Sequence, residues 1–81
     1  MTDIIKQACT ANGTRRITAP VLRNLCQQAC WDSVDSISDG RVKHVTWTAT
    51  KGKYTKKLGT AKQAAEFFAV IIDYHTSFSA N

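Results

Sequence analysis

The chain reads as an α+β domain: two N-terminal helices, a three-stranded antiparallel sheet, and a C-terminal helix packed on the sheet. Two changes of hydrophobic period and one pair of turn signals predict this. Apolar residues recur at helical spacing through the N-terminal part, alternate with polar ones in the middle, and return to helical spacing after Thr60. Asp39-Gly40 and Lys51-Gly52 punctuate the alternating stretch, as hairpin turns do. With 81 residues the chain has room for one domain, residues 1–81. Its 43% hydrophobic and 21% charged content is that of a globular domain and not of a disordered tail.

The first helix starts at Thr2, an N-cap residue type, with Asp3 suited to the positive end of the helix dipole. Ile4, Ile5, Ala8 and Cys9 share one face, and Asn12-Gly13 closes the helix. The second helix is capped by Thr18, with Pro20 in the first turn, where a missing N–H costs nothing. Ile17 and Leu22 take the two positions of a hydrophobic staple. Leu22, Leu25, Cys26, Ala29 and Cys30 form its core stripe. Residues 31–34 either continue this helix or begin a strand.

The sheet follows. A two-residue Asp39-Gly40 turn places Val34 beside Val45, with Ile37 and Val42 on the wet face; either the register differs or those two form a small cluster at the sheet end. A two-residue Lys51-Gly52 turn sets Ala49 opposite Tyr54, Trp47 opposite Lys56 and Val45 opposite Leu58. One side then carries Val45, Trp47, Ala49, Tyr54 and Leu58, apolar apart from Lys56. The other carries Thr46, Thr48, Thr50, Lys53, Thr55 and Lys57, polar and free of acid. Trp47 is expected in the core; a slip of one residue would instead make it an exposed stacking platform.

Thr60-Ala61-Lys62-Gln63 is a capping box and opens the last helix. Ala61, Ala64, Ala65, Phe68, Ile71, Ile72 and His75 line one face, flanked by Phe67, Val70 and Tyr74. A helix this apolar must be covered on much of its girth, by the sheet on one side and by the N-terminal helices or a second copy on the other. A homodimer through this helix is therefore compatible with the pattern. Residues 76–81 are expected to fray.

The net charge of +5 is unevenly placed. Residues 41–62 hold Arg41, Lys43, Lys51, Lys53, Lys56, Lys57 and Lys62 with no acid, a local +7, while the rest of the chain totals −2. Such segregation suits phosphate or an acidic protein surface; lysines also protect exposed strand edges from aggregation. The candidate binding residues are Arg41, Lys43, Thr46, Thr48, Lys51, Lys53, Thr55, Lys56, Lys57 and Lys62. Lysine neutralises phosphates, threonine hydroxyls bond phosphate or base edges, and a β-ribbon fits a major groove.

Other chemistry is scarce. No P-loop, dinucleotide fingerprint or nucleophile elbow is present, so no catalytic residue is assigned and a non-enzymatic domain is expected. Cys9, Cys26, Cys30 and His75 have the donor types of a zinc site. The Cys26/Cys30 pair, however, lies inside a helix stripe and not in a close loop, so core packing is expected, with no metal and no cofactor. Asp32, Asp35 and Asp39 are spaced too loosely for an EF-hand loop, and capping or solvation explains them. No apolar run approaches the ~18 residues of a membrane span. The odd cysteine count, with no signal-peptide pattern at the N-terminus, points to a reducing, cytoplasmic setting.

Residues 41–74 carry a family resemblance. A strand with Trp47, a glycine turn, a strand ending Leu58-Gly59-Thr60, and Ala61-Lys62-Gln63-Ala64-Ala65 opening a helix resemble the APETALA-type and integrase-arm DNA-binding domains. The resemblance implies a three-stranded sheet whose outer face reads DNA, with Arg41, Lys43, Lys53 and Lys57 as contacts. The order helix–strand–strand–strand–helix is also similar to the double-stranded-RNA-binding domain, which implies phosphate contacts near the start of the last helix. Lys56, Lys57 and Lys62 match that lysine cluster in part. Two function classes follow. The first is a small nucleic-acid-binding protein, favouring duplex over single strand. The second is a protein-binding inhibitor or accessory module, for example a phage or mobile-element factor blocking a host machine through an acidic surface.

Overall fold

The computed structural model describes residues 2–38 and 45–79. The element order is α1 (Thr2–Ala11), α2 (Ala19–Gln28), β1 (Ser33–Ser38), β2 (Val45–Lys51), β3 (Tyr54–Gly59) and α3 (Ala61–Ser79). This is the expected α+β arrangement: an antiparallel sheet in the order β1-β2-β3 with the C-terminal helix packed on it. No described helix is long and apolar enough to cross a membrane.

Both N-terminal helices end in the same device. In α1 the Thr14 N–H donates to the Cys9 carbonyl at 3.0 Å and the Gly13 N–H to that of Thr10 at 3.0 Å, a Schellman motif. In α2 the Trp31 N–H donates to the Cys26 carbonyl at 3.1 Å and the Cys30 N–H to that of Gln27 at 3.0 Å. Here the left-handed residue is Cys30, at φ 62°. Cys30 is therefore exposed and not part of the core stripe, which stops at Ala29. Thr18 stands at the N-cap of α2 with extended backbone, but its hydroxyl makes no capping hydrogen bond. The Thr2 side chain, expected as the cap of α1, lies outside the described residues, as does the Asp39-Gly40 turn.

The sheet keeps its expected faces but changes register. Lys51 pairs with Tyr54, so the turn residues are Gly52 and Lys53 and not Lys51 and Gly52. Gly52 has φ 60°, while Lys53 is not in the left-handed region, as a type II′ turn with glycine first requires. Ala49 consequently faces Lys56, two residues from the expected partner, so side-chain parity survives, but Val45 and Tyr54, expected on the core face, are 40% and 58% exposed. A bulge follows: Thr48 faces Lys57 and Trp47 faces Gly59, leaving Leu58 as the extra residue, buried against the helices. On the other side Val34 faces Ala49 and Ser38 faces Val45, and not the Val34–Val45 pairing that a two-residue Asp39-Gly40 turn would set. Ile37, opposite Thr46, is on the outer face and 60% exposed.

The core lies between the sheet and the helical layer. Phe68, Leu22, Leu25 and Val21 are its largest wholly buried side chains, closed by Ala8, Cys9, Cys26, Val34, Ala49 and Leu58. α3 contacts β2 and β3 on one side and α1 and α2 on the other, so the N-terminal helices cover the flank the sheet leaves open. Trp47 is half-buried against this core, and Trp31 closes one end. The Trp31 ring lies edge-on to Phe67 at 5.2 Å, Tyr54 at 6.0 Å and Phe68 at 6.4 Å. The capping box forms as written in the sequence. The Gln63 N–H donates to Thr60 Oγ1 at 3.2 Å, and the Thr60 N–H to Gln63 Oε1 at 2.9 Å. A β-carbon at Gly59, φ 90°, would collide with that same Gln63 oxygen. α3 continues to Ser79, past the expected end near His75.

Candidate functional site

The β2–β3 hairpin is where the acid-free stretch becomes a surface. Between residues 45 and 59 it carries Lys51, Lys53, Lys56 and Lys57, all exposed, and no Asp or Glu. Strand alternation sends them in different directions. Lys57 points to the outer face with Thr46, Thr48, Thr50 and Thr55. Lys53 stands in the turn, and Lys51 pairs with Tyr54 at its base. Lys56, opposite the buried Ala49, lies on the helix side, its Nζ 5.8 Å from the centre of the Phe67 ring. The hairpin therefore presents its cations around the turn and the β3 edge, with threonines on the flat outer face. Arg41 and Lys43 lie outside the described residues.

β1 modifies that face in a way the hairpin alone does not show. Asp35 pairs with Thr48, which pairs with Lys57, so one row crosses the outer face from an acid at one edge to a lysine at the other. Two strand spacings, about 10 Å, separate them. The adjacent row is Ser33, Thr50 and Thr55. The sheet face as a whole is thus polar but not free of acid. Thr48 Oγ1, mid-row, is buried and has no hydrogen-bond partner among the described residues. Asp32 has a structural task. Its Oδ2 accepts the Gly52 N–H at 2.6 Å, and its N–H donates to the Thr50 carbonyl at 3.0 Å, tying the start of β1 to the base of the basic turn.

Lys62 is elsewhere. It sits in the first turn of α3, where the helix dipole disfavours a cation by roughly 0.3–1 kcal/mol, and it lines a groove against α1 with Lys6, Arg15 and Arg16. The sequence-based set therefore divides: Lys51, Lys53, Lys56, Lys57 and the threonines belong to the hairpin, Lys62 to the groove. Arg15 and Arg16 stand outside that set. Their signal was a dibasic pair between a helix stop and a helix start, hidden because the segment outside residues 41–62 is net acidic.

Cys26 lies beside Asp32 and Asp35 in a depression between α2 and β1. Burial, and then the charges of Asp32 and Asp35, push its thiol above the ordinary range, and its Sγ donates to the Trp31 carbonyl at 3.5 Å. This is the environment of a packed, neutral thiol and not of a nucleophile. Among the described residues no three His, Cys, Asp or Glu side chains gather as a metal site would require. Comparison of the chain with protein-family models, with curated proteins and with solved structures finds no match.

Proposed function

We propose that the protein is a small, non-enzymatic nucleic-acid-binding domain that engages duplex through the β2–β3 hairpin. One observation carries the reading: four exposed lysines surround a glycine turn and one sheet edge with no acid in the hairpin itself. Lys51, Lys53, Lys56 and Lys57 are suited to phosphates on the two sides of a groove, since they splay about the ribbon and do not line one plane. Thr46, Thr50 and Thr55 offer hydroxyls on the outer face. Asp35 repels phosphate from the β1 side, while the Asp32 carboxylate is engaged by the Gly52 N–H at the base of the turn.

The test is a labelled duplex titrated against the protein at low salt, with the triple variant Lys53→Glu/Lys56→Glu/Lys57→Glu beside it. All three side chains are exposed, so far-UV circular dichroism is expected to stay unchanged while binding is lost. Affinity that survives the triple change removes the hairpin as the site.

A further inference from the structure

We infer that the groove between α1 and α3 docks an acidic amphipathic helix of a partner protein. The groove encloses about 870 Å³. Its floor is aliphatic: Ile5 from α1, Ile17 from the α1–α2 loop, and Ala61 and Val70 from α3. The first three are half-buried and Val70 is 51% exposed, so apolar surface faces water here beside a closed core. The rim is basic. Lys6, Arg15, Arg16 and Lys62 stand around it against a single acid, Glu66. A smaller depression past Cys9, Thr10 and Thr14 shares Ile5, Lys6, Arg15 and Ile17 with it and extends it along α1.

The loop that carries the arginines is held in place. The Thr14 N–H donates to the Cys9 carbonyl at 3.0 Å, the Arg16 N–H to Thr14 Oγ1 at 3.1 Å, and Cys9 Sγ to the Arg16 carbonyl at 3.5 Å. A rim formed beforehand lowers the ordering cost of binding.

The chemistry selects the occupant. Phosphates do not need an aliphatic floor, and no aromatic ring is present for a base to stack on. A lone fatty acid brings one carboxylate to four cations. A small ligand would stay largely open to solvent, whereas small-molecule sites bury most of what they hold. An amphipathic helix fills the floor with its apolar stripe, meets the rim with flanking Asp and Glu, and keeps its own polar back in water. This surface is separate from the hairpin and stands independently of the nucleic-acid reading.

The probe is a synthetic peptide of about four helical turns, leucines on one face and glutamates on the other, titrated into the ¹⁵N-labelled full chain. Saturable shifts are expected at the amides of Ile5, Arg15, Ile17 and Val70. The analogue with lysines in place of glutamates should bind about tenfold more weakly or worse. Val70→Asp and Arg15→Glu/Arg16→Glu should each weaken the glutamate peptide by about tenfold while the amide resonances of the hairpin stay in place. The peptide pair works on the unmodified chain, so the proposal does not depend on a variant folding. Absent saturation, equal affinity for both peptides, shifts confined to the hairpin, or displacement of the peptide from those amides by DNA duplex or oleate would each overturn it.

Discussion

Cys30 shows how a single position decides between two structures. By spacing it continues the stripe of Leu22, Leu25, Cys26 and Ala29, but by backbone it is the left-handed residue that ends α2, at φ 62°. A β-carbon there costs roughly 1–2 kcal/mol that glycine avoids, offset in part by the greater freedom glycine loses on folding. Cys30→Gly should therefore raise stability by about 1 kcal/mol, read as a higher urea midpoint with unchanged slope. Periodicity could not reveal this, because no glycine marks the helix end and cysteine counts as apolar in any stripe.

The same thiols make a second prediction at this scale. Cys30 is exposed while Cys9 and Cys26 are buried, so a thiol reagent should titrate one group quickly and the other two only after denaturation. Because the Cys26 thiol is pushed up in the folded chain, the unfolded chain ionises first as pH rises. Its contribution to stability is whole below the ordinary thiol pKa and is lost as pH climbs through the raised value. The urea midpoint should fall as pH rises past the ordinary thiol pKa, and Cys26→Ala should remove the part of that fall that Cys26 causes. A midpoint with the same pH dependence in both proteins would contradict the assignment.

Elements were legible in the sequence in proportion to how local their signals are. The capping box of α3 lies within four residues, and both of its hydrogen bonds form. Gln63→Ala should cost about 1 kcal/mol, visible as a lower thermal midpoint; an unchanged midpoint would mean that tertiary packing alone holds the helix start. Strand faces were legible as well, because alternation has a period of two. Register was not, for the same reason. A shift of two residues at β2–β3 leaves every side chain on its face, and only the demand of a type II′ turn for glycine in first place chooses Gly52-Lys53. Ile37 belongs with this ambiguity: its exposure follows from parity with Thr46 and not from its hydrophobicity.

Across the whole molecule the charge acquires a geometry that a linear count cannot supply. The basic stretch divides between the hairpin and the first turn of α3, where Lys62 meets Lys6, Arg15 and Arg16 from a segment that is acidic on average. β1 brings Asp35 onto the face that the hairpin leaves free of acid and Asp32 onto the Gly52 N–H. The candidate site was thus readable as composition but not as direction, since Lys56 and Lys57 are neighbours in sequence and point to opposite sides of the sheet. Fold and core follow from patterns within single elements; the site depends on which strand lies beside which.

The most direct test of the hairpin as a nucleic-acid surface is the salt dependence of duplex affinity, measured for the native chain, Lys53→Glu/Lys57→Glu and Asp35→Asn. Each lysine–phosphate contact contributes about −0.9 to the slope of log affinity against log salt. The native chain should bind duplex at low salt with a slope near −3.6 if Lys51, Lys53, Lys56 and Lys57 each meet a phosphate, and the double variant should flatten that slope by about 1.8. Asp35→Asn should tighten binding. No binding at low salt, or a slope that the double variant leaves unchanged, would contradict the account.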